Sequence, residues 1–450
     1  MIPTAEVATD RGFTSVLRVR PFLFLWLAQM VSQTAFNGIH FVQMVLIERL
    51  TGSSGHIGIM ILAFSLPGVL LSSVAGVVVD RLSNKSVMLA SNALRVLTVS
   101  GYIVLLMTVE AGIYLLIALY VLTFVSSAIG QFFSPAEAAT IPLLVGEDRL
   151  LTANALFNLT LIGTQVAGLI VLAPLAVKAL GIGGAFALVA AMYLIATVLT
   201  TFLPKDAPQR SSAYLAEAGR IGASALRAGW DEVREGWRFV AASAPVTLAI
   251  LQLTLIVTLL LIMAMLAPGF AARVLRMSPE DAVFVFAPAG VGMLLNAFLV
   301  GRFGHRFRRQ TLINGGFVAL GLTLAGLAWV SIQPGLAFGF SRAAGVSGLS
   351  FFLGVELAAI TIPAQTVLQE RSPAEIRGRV FAVYFMLANL VGIPPLLFIG
   401  TIADRLGPQG IPIVTAVVGA ALVVVGAVSG WRARLLPARA AGEPFPASDG

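Results

Sequence analysis

The sequence contains no cysteine, only three histidines and few charged residues. Without cysteine the chain can form neither a disulfide nor a thiolate metal or iron–sulfur site. The histidines, His40, His56 and His305, are far apart and match no metal-ligand spacing. No Gly-x-x-x-x-Gly-Lys-Ser/Thr phosphate loop is present, so we do not expect ATP to be a direct energy source. We therefore predict that the protein is not an enzyme and that it has no catalytic residues, metal or cofactor.

Apolar residues dominate the composition. Hydrophobic residues are 58% and charged residues 11% of the 450 positions, and the mean hydropathy is +0.94. One soluble core of this length could not bury so much apolar surface, so we expect the chain to lie in a membrane. A helix needs about 20 apolar residues to cross about 30 Å of hydrocarbon. The sequence accommodates twelve such segments, at residues 21–47, 57–79, 87–108, 112–133, 153–176, 183–203, 244–269, 281–301, 311–331, 336–362, 379–403 and 410–431.

The net charge of +8 is distributed unevenly along this arrangement. Of the 29 lysines and arginines, 22 fall at the termini and in alternate loops on one side, and five fall on the other side. The positive-inside rule then places both termini in the cytoplasm, as in a multi-pass protein of the cell (inner) membrane. The basic charge is thus a topology signal, with lipid headgroups rather than nucleic acid as the anionic partner. The five residues on the outer side are Arg49, Lys178, Arg273, Arg276 and Arg405.

Two short runs recur at a spacing of half the chain. The run Gly76–Arg81 ends the second segment, and Gly301–Arg306 ends the eighth, 225 positions later. The run Pro135–Glu137 recurs as Pro363–Gln365, 228 positions later, and we predict that both prolines lie in loops. Because six segments separate equivalent points, the two halves cross the membrane in the same sense, which predicts a parallel repeat.

Residues 204–243, between the halves, are polar enough to lie outside the membrane. Leu226, Trp230, Val233 and Trp237 recur at helical spacing and predict a cytoplasmic amphipathic helix at the headgroups. A passive linker is the favoured interpretation, and a regulatory role is the alternative. The tail is rich in Pro, Ala and Gly, which predicts disorder. The predicted domains are a six-helix bundle at 1–203, the linker at 204–243, a second bundle at 244–436 and the tail at 437–450.

Four residues of the first run, Gly76, Asp80, Arg81 and Lys85, match the signature loop of the major facilitator superfamily, whereas Ser83 and Asn84 depart from it. Within that superfamily the chain is similar to the branch of enterobactin exporters and macrolide efflux proteins. The resemblance covers nearly the whole chain and implies an all-α membrane protein with twelve transmembrane helices in two six-helix parallel pseudo-repeats. The runs that carry the similarity to this branch are Pro135–Pro142, Leu151–Ala155, Glu235–Phe239 and Arg377–Val380.

The resemblance also implies a cytoplasmic gate. In the family the signature carboxylate, here Asp80, sits against the start of the eleventh helix, which here follows Arg377 and Arg379. A carboxylate facing a helix N-terminus is stabilised by roughly 0.3–1 kcal/mol when exposed, and the contact must break when the protein opens inward. The alternative is that the loop only enforces topology and a tight turn. The other predicted gate residues are Gly76, Arg81, Lys85, Gly301 and Arg306, and His305 replaces the aspartate in the second copy.

Polar side chains recur along one face of the first segment at intervals of three or four residues: Gln29, Gln33, Asn37, His40 and Gln43. Because lipid does not solvate such a face, it lines a water-filled cavity or bonds to polar groups on neighbouring helices. In the family the first, fourth, seventh and tenth helices surround the substrate path, which favours a cavity. Further candidates for the cavity are Ser127, Gln131, Gln252 and Arg342.

Charged residues inside the predicted segments indicate further candidate sites. Glu356 is the only carboxylate well within one, and a carboxyl group removed from water can carry a proton, so Glu356 and His40 are the candidates for proton coupling. Pairing of Glu356 with loop arginines is the alternative. Arg342 either binds an anionic group or extends to the outer surface, and Arg95 extends similarly or braces the bundle.

These features predict a secondary transporter. The leading hypothesis is a proton-driven antiporter, acting as a monomer, that exports a small amphipathic molecule such as a drug or siderophore by alternating access. The family's antiporter signature in the fifth helix is incomplete here, since Gly163 and Gly168 precede Ala173-Pro174 instead of a glycine run ending in Gly-Pro. Nutrient uptake and lipid or lysolipid flipping remain alternatives, because the fold does not set direction or cargo.

Overall fold

The computed structural model describes residues 13–79, 82–206, 234–303, 306–333, 342–373 and 376–435. Every regular element within these ranges is helical, which confirms the predicted all-α fold. A short helix, Phe13–Leu17, comes first. The long helices are α1 Arg20–Thr51, α2 Ser54–Val79, α3 Asn84–Thr108, α4 Ile113–Val145, α5 Glu147–Gln165, α6 Ala173–Thr201, α7 Ala244–Gly269, α8 Ala282–Phe303, α9 Arg309–Ile332, α10 Arg342–Arg371, α11 Arg377–Arg405 and α12 Gly410–Leu435.

Several predictions lie outside the described residues. These are the gate residues Asp80 and Arg81, His305 in the second copy, most of the linker helix and the tail. The linker helix and the tail therefore stay predictions.

Within the described residues, ten segments are long and apolar enough to cross a membrane, against twelve predicted. One difference is α1, whose polar face lowers its hydropathy. The other is a continuous stretch, Asp148–Thr201, of 54 residues, which as one straight helix would be about 81 Å long. Gly181 interrupts it with φ 71° and ψ 179°, a left-handed conformation that glycine adopts without a steric penalty. The break lies between the fifth and sixth predicted segments, 153–176 and 183–203.

The prediction that Pro135 and Pro363 lie in loops is wrong. Helix α4 continues through Pro135 and Pro142 to Val145, and α10 continues through Pro363 to Arg371. Proline breaks helices in soluble proteins, but in a membrane span neighbouring helices and hydroxyl side chains can satisfy the freed backbone groups. The fourth helix is therefore longer than predicted at its C-terminal end.

The chain divides into two compact units, and the boundary after Trp230 falls within the predicted linker. The first unit comprises Met1–Trp230 and Ser278–Val283, and the second comprises Asp231–Met277 and Phe284–Gly450. In the first unit α1 packs on α5 and α6, and α3 packs on α4 and α6. In the second unit α7 packs on α10 and α11, and α9 packs on α10 and α12. Four helix pairs recur in both units, namely α1–α4 as α7–α10, α1–α5 as α7–α11, α3–α4 as α9–α10 and α3–α6 as α9–α12.

Glycines bring the helix backbones into direct contact. In the first unit a Cβ atom on Gly168 would lie 2.4 Å from the Thr34 carbonyl oxygen, so α1 contacts the π-helical turn Val166–Leu172 directly. In the second unit a Cβ on Gly321 would lie 2.4 Å from the Gly419 carbonyl oxygen, between α9 and α12. Close approach of this kind increases van der Waals contact where lipid provides no hydrophobic driving force between helices.

The contact of α8 with α10 provides a matched test. A Cβ on Gly292 would lie 2.0 Å from the Phe351 carbonyl oxygen, whereas a Cβ on Gly290, on the same helix, would meet nothing within 4 Å. We expect Gly292→Ala to destabilise the purified protein by about 1–3 kcal/mol through overpacking. Gly290→Ala is expected to leave stability unchanged or raise it by up to about 1 kcal/mol, because alanine favours helix. Thermal unfolding in detergent measures both, and equal melting temperatures would contradict the close packing of these helices.

Candidate functional site

The polar face of α1 contains two kinds of environment. Gln29 and Gln43 are buried, whereas Gln33, Asn37 and His40 are half-buried. Gln29 Oε1 has no hydrogen-bond partner within the described residues. Asn37 Nδ2 donates to the Gln33 carbonyl oxygen at 2.9 Å, within the same helix. The middle of the face is therefore the more open part of the predicted cavity lining.

Gln43 connects three helices. Its Nε2 donates to Tyr102 Oη on α3 at 2.7 Å, and Tyr102 Oη lies 2.7 Å from Thr123 Oγ1 on α4. The Tyr102 ring also stacks on Phe186 of α6, with centroids 4.8 Å apart. At this level the polar face bonds to neighbouring helices.

His40 is surrounded by aromatic rings. Its ring centroid lies 3.8 Å from that of Phe64 on α2 and 4.6 Å from that of Phe36. On α4, Ser127 Oγ donates to the Phe64 carbonyl oxygen at 2.6 Å, and Gln131 contacts α2 at Gly68. These cavity candidates are thus brought together where α1, α2 and α4 approach one another.

Arg95 of α3 is buried in the first unit, with 4% of its surface exposed. Its guanidinium carbon lies 5.4 Å from the ring centroids of Phe36 and Tyr193 and 5.6 Å from that of Phe133. Its Nη1 donates weakly to Ser32 Oγ at 3.4 Å. The absence of a side chain at Gly130 leaves space for the guanidinium, because a Cβ there would lie 2.4 Å from Arg95 Nη2. Three ring faces stabilise the buried cation, so Arg95 braces α1, α4 and α6 against α3.

Glu137 is a carboxylate that the sequence analysis missed. It lies on α4 one turn beyond Phe133, is 8% exposed, and its Oε1 has no hydrogen-bond partner within the described residues. The Arg95 guanidinium lies over the Phe133 ring, one turn before Glu137 on the same helix. Glu356 is therefore not the only carboxyl group buried on a long helix, because α4 continues beyond residue 133, where the predicted fourth segment ended. The apolar residues that continue beyond Pro135 to Val145 were the signal that could have extended it.

Glu356 lies on α10 of the second unit and is 9% exposed. Its Oε1 accepts a hydrogen bond from Thr323 Oγ1 of α9 at 2.7 Å, and its Oε2 has no partner within the described residues. The loop arginine Arg309 pairs with Glu370 at the end of α10, where Nη2 and Oε1 are 2.9 Å apart. Glu356 thus has a single hydroxyl donor rather than a loop arginine as its partner.

Two other cavity candidates of the second unit have different surroundings. Gln252 of α7 is buried, and its Nε2 has no hydrogen-bond partner within the described residues. Arg342 donates to the carbonyl oxygens of Val274, at 3.1 Å, and Gln333, at 2.5 Å. These are orphan carbonyls at or just beyond helical ends, so Arg342 caps the backbone there.

The loop between α2 and α3 is held by reciprocal capping within the first unit. Lys85 Nζ donates to the carbonyl oxygens of Thr201, at 2.7 Å, and Leu203, at 2.5 Å, at the end of α6. Asp206 in turn accepts from Ser83 Oγ and from the backbone N–H of Asn84, both at 2.6 Å, at the start of α3. A cation at a helix C-terminus and an anion at a helix N-terminus are both favourable. Asp206 was not predicted, because its partners are over a hundred residues away in sequence.

The predicted gate residues of the second half lie at helix ends. Gly301 is exposed on α8, and the Arg306 guanidinium lies 5.4 Å from the Phe303 ring centroid. Arg377 Nη2 donates to the Ser372 carbonyl oxygen at 3.4 Å, a long contact. Gly76 lies near the end of α2.

Arg379 connects α11 to the linker. Its Nη1 lies 2.5 Å from Glu235 Oε2, and a Cβ on Gly236 would lie 2.8 Å from the Arg379 carbonyl oxygen. The runs Glu235–Phe239 and Arg377–Val380, which are separated in sequence and both carry the family resemblance, are therefore in contact within the second unit.

Three of the five predicted outer basic residues form ion pairs. In the first unit, Arg49 Nη2 lies 2.7 Å from Glu280 Oε1, and Lys178 Nζ lies 2.5 Å from Asp281 Oδ1. In the second unit, Arg273 Nη1 lies 2.9 Å from Asp404 Oδ1. Glu280 and Asp281 lie on the 3₁₀ turn Pro279–Asp281.

With this architecture established, comparison with known proteins gives the family. The family model of the Major Facilitator Superfamily matches residues 25–394. The chain belongs to this superfamily. It is 24% identical over 397 residues to the MFS-type transporter YfiS of Bacillus subtilis (strain 168), covering 85% of each chain. It is 24% identical over 395 residues to macrolide efflux protein A of Streptococcus pyogenes, covering 86% of this chain and 90% of the relative.

Solved structures share the fold. A crystal structure of the nucleoside transporter NupG has a TM-score of 0.64 at 16% identity, covering 91% of this chain and 98% of that chain. A bacterial homolog of the human lysosomal transporter Spinster, inward-facing and unoccupied, has a TM-score of 0.67 at 14% identity, covering 93% and 99%. At these identities the likeness shows the fold alone. The protein is thus a multi-pass membrane transporter of the superfamily, and its cargo is a separate question.

Asp206 provides a test of the capping in this superfamily member. We expect Asp206→Ala to lower the stability of the purified protein by about 1–2 kcal/mol, because the start of α3 loses an anionic acceptor. Glu110→Ala, which removes an exposed carboxylate from the loop after α3, is the matched control and is expected to have no effect. Thermal unfolding in detergent makes the comparison, and an Asp206→Ala melting temperature equal to that of the control would exclude the capping role.

Proposed function

We propose that the protein is a proton-driven exporter of a small amphipathic molecule that works by alternating access. The observation that carries the proposal is Glu356, a carboxyl group nearly enclosed by the second unit with one hydroxyl donor and one unpartnered oxygen within the described residues. A buried carboxylate without a cationic partner is costly, so this group is stable when it binds a proton. A carboxyl group that is protonated when enclosed and ionised when hydrated can couple a proton gradient to transport.

Efflux is favoured by the relative named macrolide efflux protein A. In the first unit, Gln29 of α1 has a buried polar atom without a partner within the described residues, which agrees with a cargo that carries polar groups. Such atoms are satisfied by water or by a ligand. Phe36 and Phe64 place aromatic surface beside the half-buried His40. The combination suits a molecule with a large apolar surface and few polar groups.

The topology is part of the same proposal. The protein acts as a monomer in the cell membrane. Both termini lie in the cytoplasm, since basic residues are concentrated in the termini and the loops on that side. Asp80 acts as the gate residue, and the arginines at the start of α11, Arg377 and Arg379, are its partners. In the conformation described, Arg379 is held by Glu235.

Reconstitution into liposomes tests the function. The probes are a fluorescent amphipathic drug, a macrolide, a siderophore and a fluorescent lysolipid, each with and without an imposed pH gradient. We expect gradient-driven accumulation of the drug or macrolide by the wild type. Glu356→Gln is expected to reduce accumulation to the level of empty liposomes, because an amide cannot exchange a proton. Glu110→Gln, the same change at an exposed position, is expected to behave as the wild type.

The outcomes separate the rival functions. Movement of lysolipid alone, without dependence on the gradient, would establish a flippase and overturn the proposal. Accumulation of a nutrient-like substrate in the opposite direction would establish uptake. Full gradient-driven transport by Glu356→Gln would remove Glu356 from proton coupling while leaving export intact.

The gate proposal has its own test. We expect Asp80→Asn to lower the turnover of the best substrate strongly, because the amide lacks the charge that attracts the arginines and helix N-terminus. His305→Asn, at the equivalent position of the second copy, is the control and is expected to have a weaker effect. Since the chain has no cysteine, single cysteines placed in the tail and at Glu110 report its orientation through an impermeant thiol reagent. Unchanged turnover of correctly inserted Asp80→Asn would exclude the gate role.

A further inference from the structure

Glu137 and Arg95 have chemistry that the transport proposal does not use. Glu137 is nine-tenths buried on α4, and its Oε1 has no hydrogen-bond partner within the described residues. Pro135 and Pro142 flank it within the same helix. An ionised carboxylate in these surroundings, without a partner, would cost several kcal/mol. Burial without a hydrogen-bond donor or a cation therefore favours the neutral, protonated form of Glu137 in this conformation.

The ionised form also has a counter-charge available. The Arg95 guanidinium on α3 lies over the ring of Phe133, one turn before Glu137 on α4, and Arg95 and Glu137 form no ion pair within 4 Å in the described parts of the chain. The guanidinium is stabilised by ring faces instead of a carboxylate, and its Nε has no hydrogen-bond partner within the described residues. A charge held by rings remains free to stabilise a carboxylate when the helices move or water enters. The site can therefore alternate between a protonated and an ion-paired state.

The groups that surround the site are few. The charged group on α3 at this level is Arg95, and Glu137 forms no salt bridge with any charged group within the described residues. The titratable groups nearby are Tyr193 of α6, whose ring lies under the Arg95 guanidinium, and His40 of α1, which contacts Phe36, another ring under Arg95. Phe133 and Ala136, the buried apolar residues beside Glu137 on α4, belong to the same hydrophobic cluster as Phe22, Met88 and Phe157.

The internal repeat shows that this carboxyl group belongs to the first half alone. The residue equivalent to Glu137 at the offset of 228 is Gln365, which is exposed. The residue equivalent to Glu356 is Ala128. Each unit thus has one buried carboxyl group on its fourth helix, Glu137 on α4 and Glu356 on α10. The two positions differ by nine residues in the repeat. A purely structural role in the shared fold does not require either acid, because the other unit folds without it.

We propose that Glu137 and Arg95 form a proton-binding site in the first unit, distinct from Glu356. The carboxylate takes up one proton to become the acid and releases it to become a carboxylate paired with Arg95. The inference rests on the proposed function, since a second proton carrier has a use in a gradient-driven transporter. Its presence would raise the number of protons available for each transport cycle.

Infrared difference spectroscopy of the full chain in lipid nanodiscs tests proton binding without a transported substrate. The probe is the proton itself, varied by exchanging the buffer pH and replacing H₂O with D₂O. We expect the wild type to show carbonyl bands of buried, protonated carboxyl groups that disappear as the pH is raised. Glu137→Gln is expected to lose one of these bands, Glu356→Gln another, and the exposed control Glu110→Gln none. A Glu137→Gln spectrum identical to the wild type would overturn the proposal.

A second variant and a measurement of proton flux complete the test of Glu137. If Glu137→Gln fails to fold, Glu137→Asp is the second variant. It is expected to retain the carboxyl band at a shifted frequency, and an unchanged frequency would overturn the proposal. In liposomes, Glu137→Gln is expected to lower the number of protons that move with each transported drug molecule. An unchanged number would show that Glu137 is not coupled to transport. If the wild type transports no probe, the proposed function fails, while the band assignment still decides whether Glu137 binds a proton.

Discussion

The fold depends on one constraint, which is that hydrocarbon offers no hydrogen bonds and no solvation to polar groups. Twenty-residue helices satisfy their own backbones, so the remaining problem is the polar side chains inside them. The first unit solves it with networks that cross helices, as Gln43, Tyr102 and Thr123 do, and with the three aromatic rings around Arg95. Glycines then let the helices approach closely enough for such contacts to form, as Gly130 does beside Arg95.

Function is expected at the few buried polar groups whose hydrogen bonds the neighbouring helices do not satisfy. Glu137 and Glu356 are each nearly enclosed and each has an oxygen without a partner within the described residues. They occupy non-equivalent positions in the repeat, so the two halves differ in where they hold a buried acid. Other polar groups of the same helices, such as Ser127, are bonded to neighbours and contribute to packing.

The signature loop has a local role that does not depend on gating. Lys85 caps the end of α6, and Asp206 caps the start of α3, so the loop fixes two helix ends in the first unit. In the second unit Arg309 and Glu370 join α9 to α10, and Glu235 and Arg379 join the linker to α11. Helix ends at the membrane surface need partners for their free backbone groups and charges, and these loops supply them.

The sequence by itself determined the membrane class, the positions of the long helices, the half-chain repeat and the superfamily, because apolar length and recurring runs are local properties. It also identified Glu356, a charge isolated in an apolar run. Only the tertiary structure decided that Pro135 lies inside a helix, that Glu137 is buried near Arg95, and that Asp206 serves α3. Each of these depends on partners far away in sequence, since neighbouring helices determine whether a proline is tolerated and whether a carboxylate is enclosed.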